Sequence, residues 1–410
     1  MSGQALFAPF RGERYADPGA LARRLAPPYD VIGPAERAEL VRGDPYNIAA
    51  VDLPAAPAGA DPYAEAARTL RSWRDARILA RDAEPTACVL RTAGRFPDGV
   101  VRARTGVFLA AAAEPFARGR IRPHERTHGA AKEDRRRLMH ATGANLSPVF
   151  LLAPDPAGSL AAALRSATAR APWAACEALG FEQTVWIIAG EEARSLAEVA
   201  GAEPVYVADG HHRFETSVLF RDEAPESWRA GAARTLAYVV SFRDPGLVIL
   251  PTHRMLAGPP LDRDAFVAAA APYFAPAPPG AAPTLTAVFA GGAEVPLLLK
   301  PEAEIPGPEG RPLHPALRAL EVAAADGVAV GVVGKALLGR VPELSYTADA
   351  AEARAAASGA RCACALLLPP TRLEAVRRVA DAGQIMPPKS TFFAPKVPTG
   401  VVLRPLDGPA

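Results

Sequence analysis

The chain has 410 residues, half of them apolar and 22% charged, and its 46 Lys and Arg nearly balance 44 Asp and Glu to leave a net charge of +2. That balance gives no polyanion-binding signature, since basic residues are dispersed except around 118–137, so nucleic acid is not an expected partner. No apolar run approaches a membrane span, and the length exceeds what one hydrophobic core serves, so two packed subdomains are expected.

The opening Met-Ser-Gly-Gln-Ala-Leu-Phe-Ala-Pro-Phe carries no charged and apolar leader. Four cysteines, Cys88, Cys176, Cys362 and Cys364, form neither a metal nor a disulfide pattern, which fits a reducing cytoplasm. Pro27 and Pro28 hold the next segment extended, so Tyr29 and Asp30 are presented on a rigid stretch. They are either binding groups or a buried tyrosine beside a turn aspartate. Residues 34–42 have a helical pattern. In 62–79, Tyr63, Ala67, Leu70, Trp73 and Leu79 recur near helical spacing and predict an amphipathic scaffold helix. Residues 86–95 and 102–112 alternate around Phe96-Pro-Asp98-Gly99 and predict a hairpin.

A first polar concentration follows: Arg120-Ile-Arg122-Pro123-His124-Glu125-Arg126-Thr127-His128-Gly129, then Lys132 to His140. Pro123 and Gly129 make its start a loop, and 132–142 reads as helix. His124, Glu125, Thr127 and Lys132 are candidate site residues, because such a loop ahead of an Arg-rich helix suits clamping a phosphorylated ligand. Arg136 and Arg137 read instead as a solvated face paired with Glu133 and Asp134. His124 and His128 would be a metal pair only on a helix, which Pro123 disfavours. Asn145-Leu-Ser147 is a polar entry into a buried strand, with Asn145 a candidate substrate contact. Residues 159–171 and 191–199 predict helices, and 184–188 a strand.

The second concentration is Val205-Tyr206-Val207-Ala208-Asp209-Gly210-His211-His212-Arg213-Phe214-Glu215-Thr216. Its first four residues suit a buried strand, and apolar residues from Phe214 to Phe220 return at helical spacing. The polar residues therefore sit on the turn between. A strand handing over to a helix leaves backbone N–H groups unpaired, and together with the helix dipole they favour an anion. His211, His212 and Arg213 add donors, and Asp209 is an acceptor beside them. The alternative is an Asp-Gly turn with Asp209 as helix cap and solvated histidines. Zinc would need a third His or Cys close by, and none is there.

Residues 234–241 predict a strand, and Pro251-Thr252-His253-Arg254 ends another, which can bring His253 and Arg254 to the same pocket. The Pro- and Ala-rich run 259–282 marks the expected boundary between 1–258 and 259–410. The later half alternates strands (286–290, 295–300, 363–368) with helices (315–325, 371–383). The glycines of 327–334 lack the spacing of a phosphate loop. In 384–403, prolines impose an extended path and Lys389-Ser390-Thr391 supplies an ammonium and two hydroxyls. This tail is expected to pack back on the first half with Lys389 near the anion, or else to lie on the surface anchored by Phe392 and Phe393.

Five ordered motifs, Pro27-Pro-Tyr29-Asp30-Val-Ile32, Pro123-His124-Glu125-x-Thr127, Ala208-Asp209-Gly210-His211-His212-Arg213, Pro251-Thr252-His253-Arg254 and Met386-Pro-Pro-Lys389-Ser390-Thr391, together resemble the family called domain of unknown function 1015 over nearly the whole chain. The resemblance implies an α/β (α+β) fold, with a ParB/sulfiredoxin-like mixed-sheet core and a second α/β subdomain. It also implies kinship with free-serine kinases that use pyrophosphate or ADP. Carried over, Asp209 would be the base on the serine hydroxyl, Gly210, His211, His212 and Arg213 would hold donor phosphates, and Glu125 would be a second carboxylate or a magnesium contact. The expected function is thus a phosphotransferase acting on free L-serine, or in reverse on O-phosphoserine. It would use Mg2+ with pyrophosphate, ADP or ATP, and Arg254 or Lys389 as further clamps. Two alternatives stand beside it. One is a ParB-like nucleotide-binding regulator contacting DNA, which needs a basic recognition helix that the charge distribution gives little sign of. The other is a sensor of a phosphorylated metabolite, which keeps the clamps without needing Asp209.

Overall fold

The alternating pattern around Asp98-Gly99 becomes one of the two longest ladders among the described residues. Strand β2 (Thr86–Arg95) pairs antiparallel with β3 (Val101–Ala112), from Cys88 opposite Phe108 to Arg95 opposite Val101. Gly99 takes a φ of 83° at the turn. The computed structural model describes residues 4–127, 129–307 and 313–408. It divides the chain into two compact units, one made of the residues through Pro123, Thr127–Leu247 and everything from Pro395, the other of His124–Arg126 and Val248–Ala394.

The first unit is mixed α/β. Its sheet also contains β1 (Phe7–Ala8), β4 (Ile121–Arg122), β5 (Val149–Ala153), β6 (Ala174–Ala178), β7 (Phe181–Ala189), β8 (Val205–Asp209) and β9 (Arg234–Ser241), in the order β4-β8-β5-β9-β3-β2-β7-β6, with β1 on β3. Pairings β4–β8 and β5–β9 are parallel and the others antiparallel. Every residue of β5 and β9 is buried, and β5 with residues 236–240 of β9 reads as a continuous apolar run because both faces of the sheet are covered. One core joins Val107, Leu151, Val207 and Val239 of the sheet to Leu160, Leu196 and Phe214 of the helices α1 (Ser159–Ala167), α2 (Gly190–Ala200) and α3 (His211–Glu223). The helix expected over 62–79 is capped by Asp61, which accepts from Tyr63 N at 3.0 Å. It ends at Asp75, and Leu79 instead opens the short strand Leu79–Arg81.

After Pro395 the chain is stitched into this unit by bridges from Thr399 to Ala26 and Leu403 to Glu13, then by Arg404–Pro405 pairing with Ala144–Asn145. Of the tail expected to return to the first half, residues from 395 belong to the first unit and 384–394 to the second.

The second unit holds an antiparallel sheet of β10 (His253–Leu256), β11 (Phe274–Pro276), β12 (Leu285–Val288), β13 (Glu294–Leu299), β14 (Leu344–Thr347) and β15 (Cys364–Leu367), ordered β11-β13-β12-β15-β10-β14. Val248–Leu250 pairs separately with Phe392–Ala394. The boundary therefore falls at Leu247, earlier than the expected 258. The Pro- and Ala-rich run is no linker: it contains the helix Arg263–Ala270, capped by Asp262, and strand β11, and it buries Phe266 and Phe274. Among the described residues, no helix is long and apolar enough to cross a membrane.

Candidate functional site

The end of β8 is shaped by one extra residue. Val207 lies opposite Leu151 and Asp209 opposite Phe150, so Ala208 is bulged out and the side chain that ends the strand is re-aimed. Gly210 follows at a φ of 86°, and a β-carbon there would come 3.1 Å from the Arg213 guanidinium. Backbone angle and space together demand glycine. Helix α3 starts at His211 with no side chain capping it, which leaves first-turn N–H groups over the turn.

Asp209 is the hub. Its Oδ2 accepts from Arg213 Nη2 at 2.7 Å and its Oδ1 from Lys396 Nζ at 2.7 Å. The three side chains are 20%, 8% and 18% exposed respectively, so the cluster sits at the rim rather than sealed inside. Burial pushes the Asp209 carboxyl up, but Lys396 and Arg213, with His211 behind them, outweigh it and hold it well below the usual carboxylate range. Arg213 also donates to the Pro148 carbonyl, and its Nε is buried without a partner among the described residues. Lys396 is the functional candidate that sequence reasoning missed. It is placed by Arg104, a fully buried arginine that donates to the Pro395 carbonyl at 2.7 Å.

Tyr29 and Asp30, on the segment that follows Pro27-Pro28, both lie within electrostatic reach of Arg213. The Arg135 guanidinium lies 3.8 Å over the Tyr29 ring. Burial pushes the Tyr29 hydroxyl up to about 12, with Arg213 and Arg135 opposing. Asp30 is exposed, lies within electrostatic reach of Arg213, and has no hydrogen bond or ion pair among the described residues. Beneath, Arg135 donates to the Asp52 carbonyl at 2.7 Å and Ser147 Oγ to Asp52 Oδ2 at 2.7 Å. Burial raises the Asp52 carboxyl despite Arg135 and Ser147. These groups and Arg213 line a cavity of about 40 Å3, room for a water.

Other expected residues of the first unit turn inward. Thr127 and Lys132 both donate to Glu215 of α3, the lysine at 2.9 Å. Asn145 Oδ1 accepts from Leu236 N at 3.1 Å and Arg404 Nη1 at 3.2 Å, which makes this amide a brace rather than a substrate contact. Arg136 bridges Glu133 at 2.8 Å and Glu223 at 2.7 Å on the solvated face.

The remaining candidates lie in the second unit. His124 Nε2 is 2.9 Å from Thr391 Oγ1, and Glu125 Oε1 accepts from Lys389 N at 3.4 Å. Ser390 Oγ donates to the Pro387 carbonyl at 2.6 Å, closing the Met-Pro-Pro-Lys turn on itself. His253 Nδ1 accepts from Leu368 N at 3.1 Å, so its proton sits on Nε2, buried without a partner among the described residues. Burial, then Arg354 and Arg254, lower its pKa. Arg254 is fully buried and bonds Asp326 Oδ1 at 2.9 Å, Asp326 Oδ2 at 3.3 Å and the Thr252 carbonyl at 2.5 Å. The expected phosphate clamp is thus committed to an internal carboxylate. Lys389, expected near the anion, is an exposed residue of this unit, and the ammonium on Asp209 is Lys396. His128 lies outside the described residues. Among the described residues, no three His, Cys, Asp or Glu converge as metal ligands.

A mixed α/β unit with a cationic turn at a strand end is therefore the class defined here. The family model described as "Protein of unknown function (DUF1015)" matches residues 7–323, and the chain belongs to that family. No curated protein matches the chain. Among solved structures it is similar to a free serine kinase in complex with AMP, at 14% identity and a TM-score of 0.35, over 70% of this chain and 87% of that one. A conserved hypothetical protein from Pyrococcus furiosus shows 13% identity and a TM-score of 0.35 over 72% and 93%. SbnI with C-terminal truncation from Staphylococcus aureus shows 12% and 0.36 over 72% and 81%.

Proposed function

We propose that the first unit is a ParB/sulfiredoxin-like phosphotransferase that moves a phosphoryl group between pyrophosphate or an adenine nucleotide and the hydroxyl of free L-serine, in either direction. The observation that carries this reading is the juxtaposition of two fixed cations, Arg213 and Lys396, with an uncommitted carboxylate, Asp30, at a glycine turn opening a helix. The choice of serine follows the five motifs and their family resemblance.

In this reading donor phosphates rest against the N–H groups of α3, His211 and His212, and Arg213 and Lys396 neutralise the oxygens of the group in transfer. Asp209 keeps both cations in place. With both oxygens engaged and its pKa depressed, it is a poor proton acceptor, which moves the base from Asp209, as the resemblance implied, to Asp30. Asp30 accepts the serine hydroxyl proton as the serine oxygen bonds to phosphorus. The bond from phosphorus to the bridging oxygen of the donor breaks, and the electron pair leaves with orthophosphate or the shortened nucleotide. Mg2+ entering on the donor phosphates would need only one or two carboxylates of the chain, with phosphate oxygens and water taking its other positions. When bound it would draw charge from the phosphoryl oxygens.

The test is incubation of the full chain with Mg2+, L-serine and pyrophosphate, ADP or ATP in turn, followed by phosphorus NMR. O-phosphoserine is expected with at least one donor, or its consumption in the reverse mixture. Silence in every mixture and both directions would sink the reading.

A further inference from the structure

A second cavity lies in the first unit away from Asp209. It has a volume of about 390 Å3 and is lined by Arg118, Arg120, Arg221 and Glu114 over a floor that includes Ala113 and Ala233. That volume falls in the range of small-molecule sites. Two of its arginines are neutralised locally, Arg120 by Glu114 through two contacts and Arg221 by Asp222 at 2.8 and 3.0 Å. Two further guanidiniums are not. Arg118 is exposed, and its guanidinium has no hydrogen bond or ion pair among the described residues. Arg234, next in sequence to the lining Ala233, is buried and donates only to the carbonyls of Ala110 and Leu6, at 3.1 and 3.4 Å, with no carboxylate partner among the described residues. Burying an uncompensated guanidinium is costly, and an anion in the adjoining cavity relieves it. Consistent with that cost, burial and the nearby Arg120 lower the Arg234 pKa.

We propose that this cavity binds a small polyvalent oxyanion, a phosphate- or carboxylate-bearing metabolite, held by Arg118 and by Arg221, which exchanges its exposed neighbour Asp222 for the ligand, with Arg234 adjoining. The cavity adjoins helix α3 at Arg221, in the last turn, and the strap carrying Arg118 reaches the same helix near its start, where Phe116 stacks on Phe214 with centroids 5.0 Å apart. An occupant thus touches the last turn of this helix through Arg221 and its start only indirectly, through the strap that carries Arg118. The proposal does not depend on chemistry at Asp209.

The test is calorimetric titration of the full chain with inorganic pyrophosphate and, separately, citrate, at constant ionic strength in chloride. It uses wild type, Arg213→Ala, Arg118→Glu and Arg221→Gln. One binding event is expected to persist in Arg213→Ala and to weaken about tenfold or more in Arg118→Glu and Arg221→Gln. The tighter of the two probes names the preferred oxyanion. Binding that is absent in Arg213→Ala, indifferent to Arg118→Glu, or abolished by chloride alone would overturn the site. Arg118 is exposed and unpaired, so its substitution leaves the fold intact, and a missing O-phosphoserine product would leave this result untouched.

Discussion

Asp209 accepts from two cations at once, and this single carboxylate decides how the rest of the turn is charged. Replacing it by Asn leaves Arg213 and Lys396 facing each other uncompensated, and a loss of about 3 kcal/mol is expected in urea unfolding at neutral pH. The sign with pH follows from its depressed native pKa. Its contribution is complete above the unfolded carboxylate value of about 4 and drains away as pH falls through the lower native value. The gap between wild type and Asp209→Asn should therefore be widest near neutrality and close on acidification; a gap that widens in acid would contradict the assignment. Asp30→Asn separates the roles. Turnover should fall by about a hundredfold or more with donor affinity unchanged, whereas a matching loss of donor affinity would make Asp30 a phosphate-side group.

At the scale of elements, the turn from β8 into α3 depends on the conformation of Gly210. Gly210→Ala is expected to lower stability by about 1–3 kcal/mol and to weaken pyrophosphate binding, measurable by urea titration and calorimetry. Strand, turn and helix here were readable from the chain, because an apolar run, Asp-Gly and a return to helical spacing are local signals. The bulge at Ala208 was not, since it exists only in register with β5. Lys396 was missed for a related reason: its place depends on the Arg104 bond to Pro395, a contact between distant parts of the chain. Arg254 looks like a clamp in the sequence because His253-Arg254 resembles His212-Arg213, while the Asp326 that neutralises it sits in an apolar stretch with no motif. The Pro- and Ala-rich run was misread as a boundary because its composition hides the buried Phe266 and Phe274.

At the scale of the whole molecule, the first unit is discontinuous in sequence, and its last piece carries more than Lys396. Arg404 is buried and donates to the carbonyls of Gly231 and Arg234 at 2.7 and 2.9 Å. Gly231 has no room for a β-carbon against the Leu406 carbonyl. A chain ending at residue 394 is expected to lose the cooperative unfolding of the first unit and to expose β9 and Ala144–Asn145 to limited proteolysis. Unchanged protection of those strands would show the final segment to be dispensable.

The same arrangement sets an order of events at the ribosome. A nascent chain presents Asp209 and Arg213 long before Lys396 is translated, and 248–394 must be synthesised in between. Until that segment and Lys396 itself have left the exit tunnel the turn lacks its second cation, so the charge cluster on Asp209 closes late in synthesis.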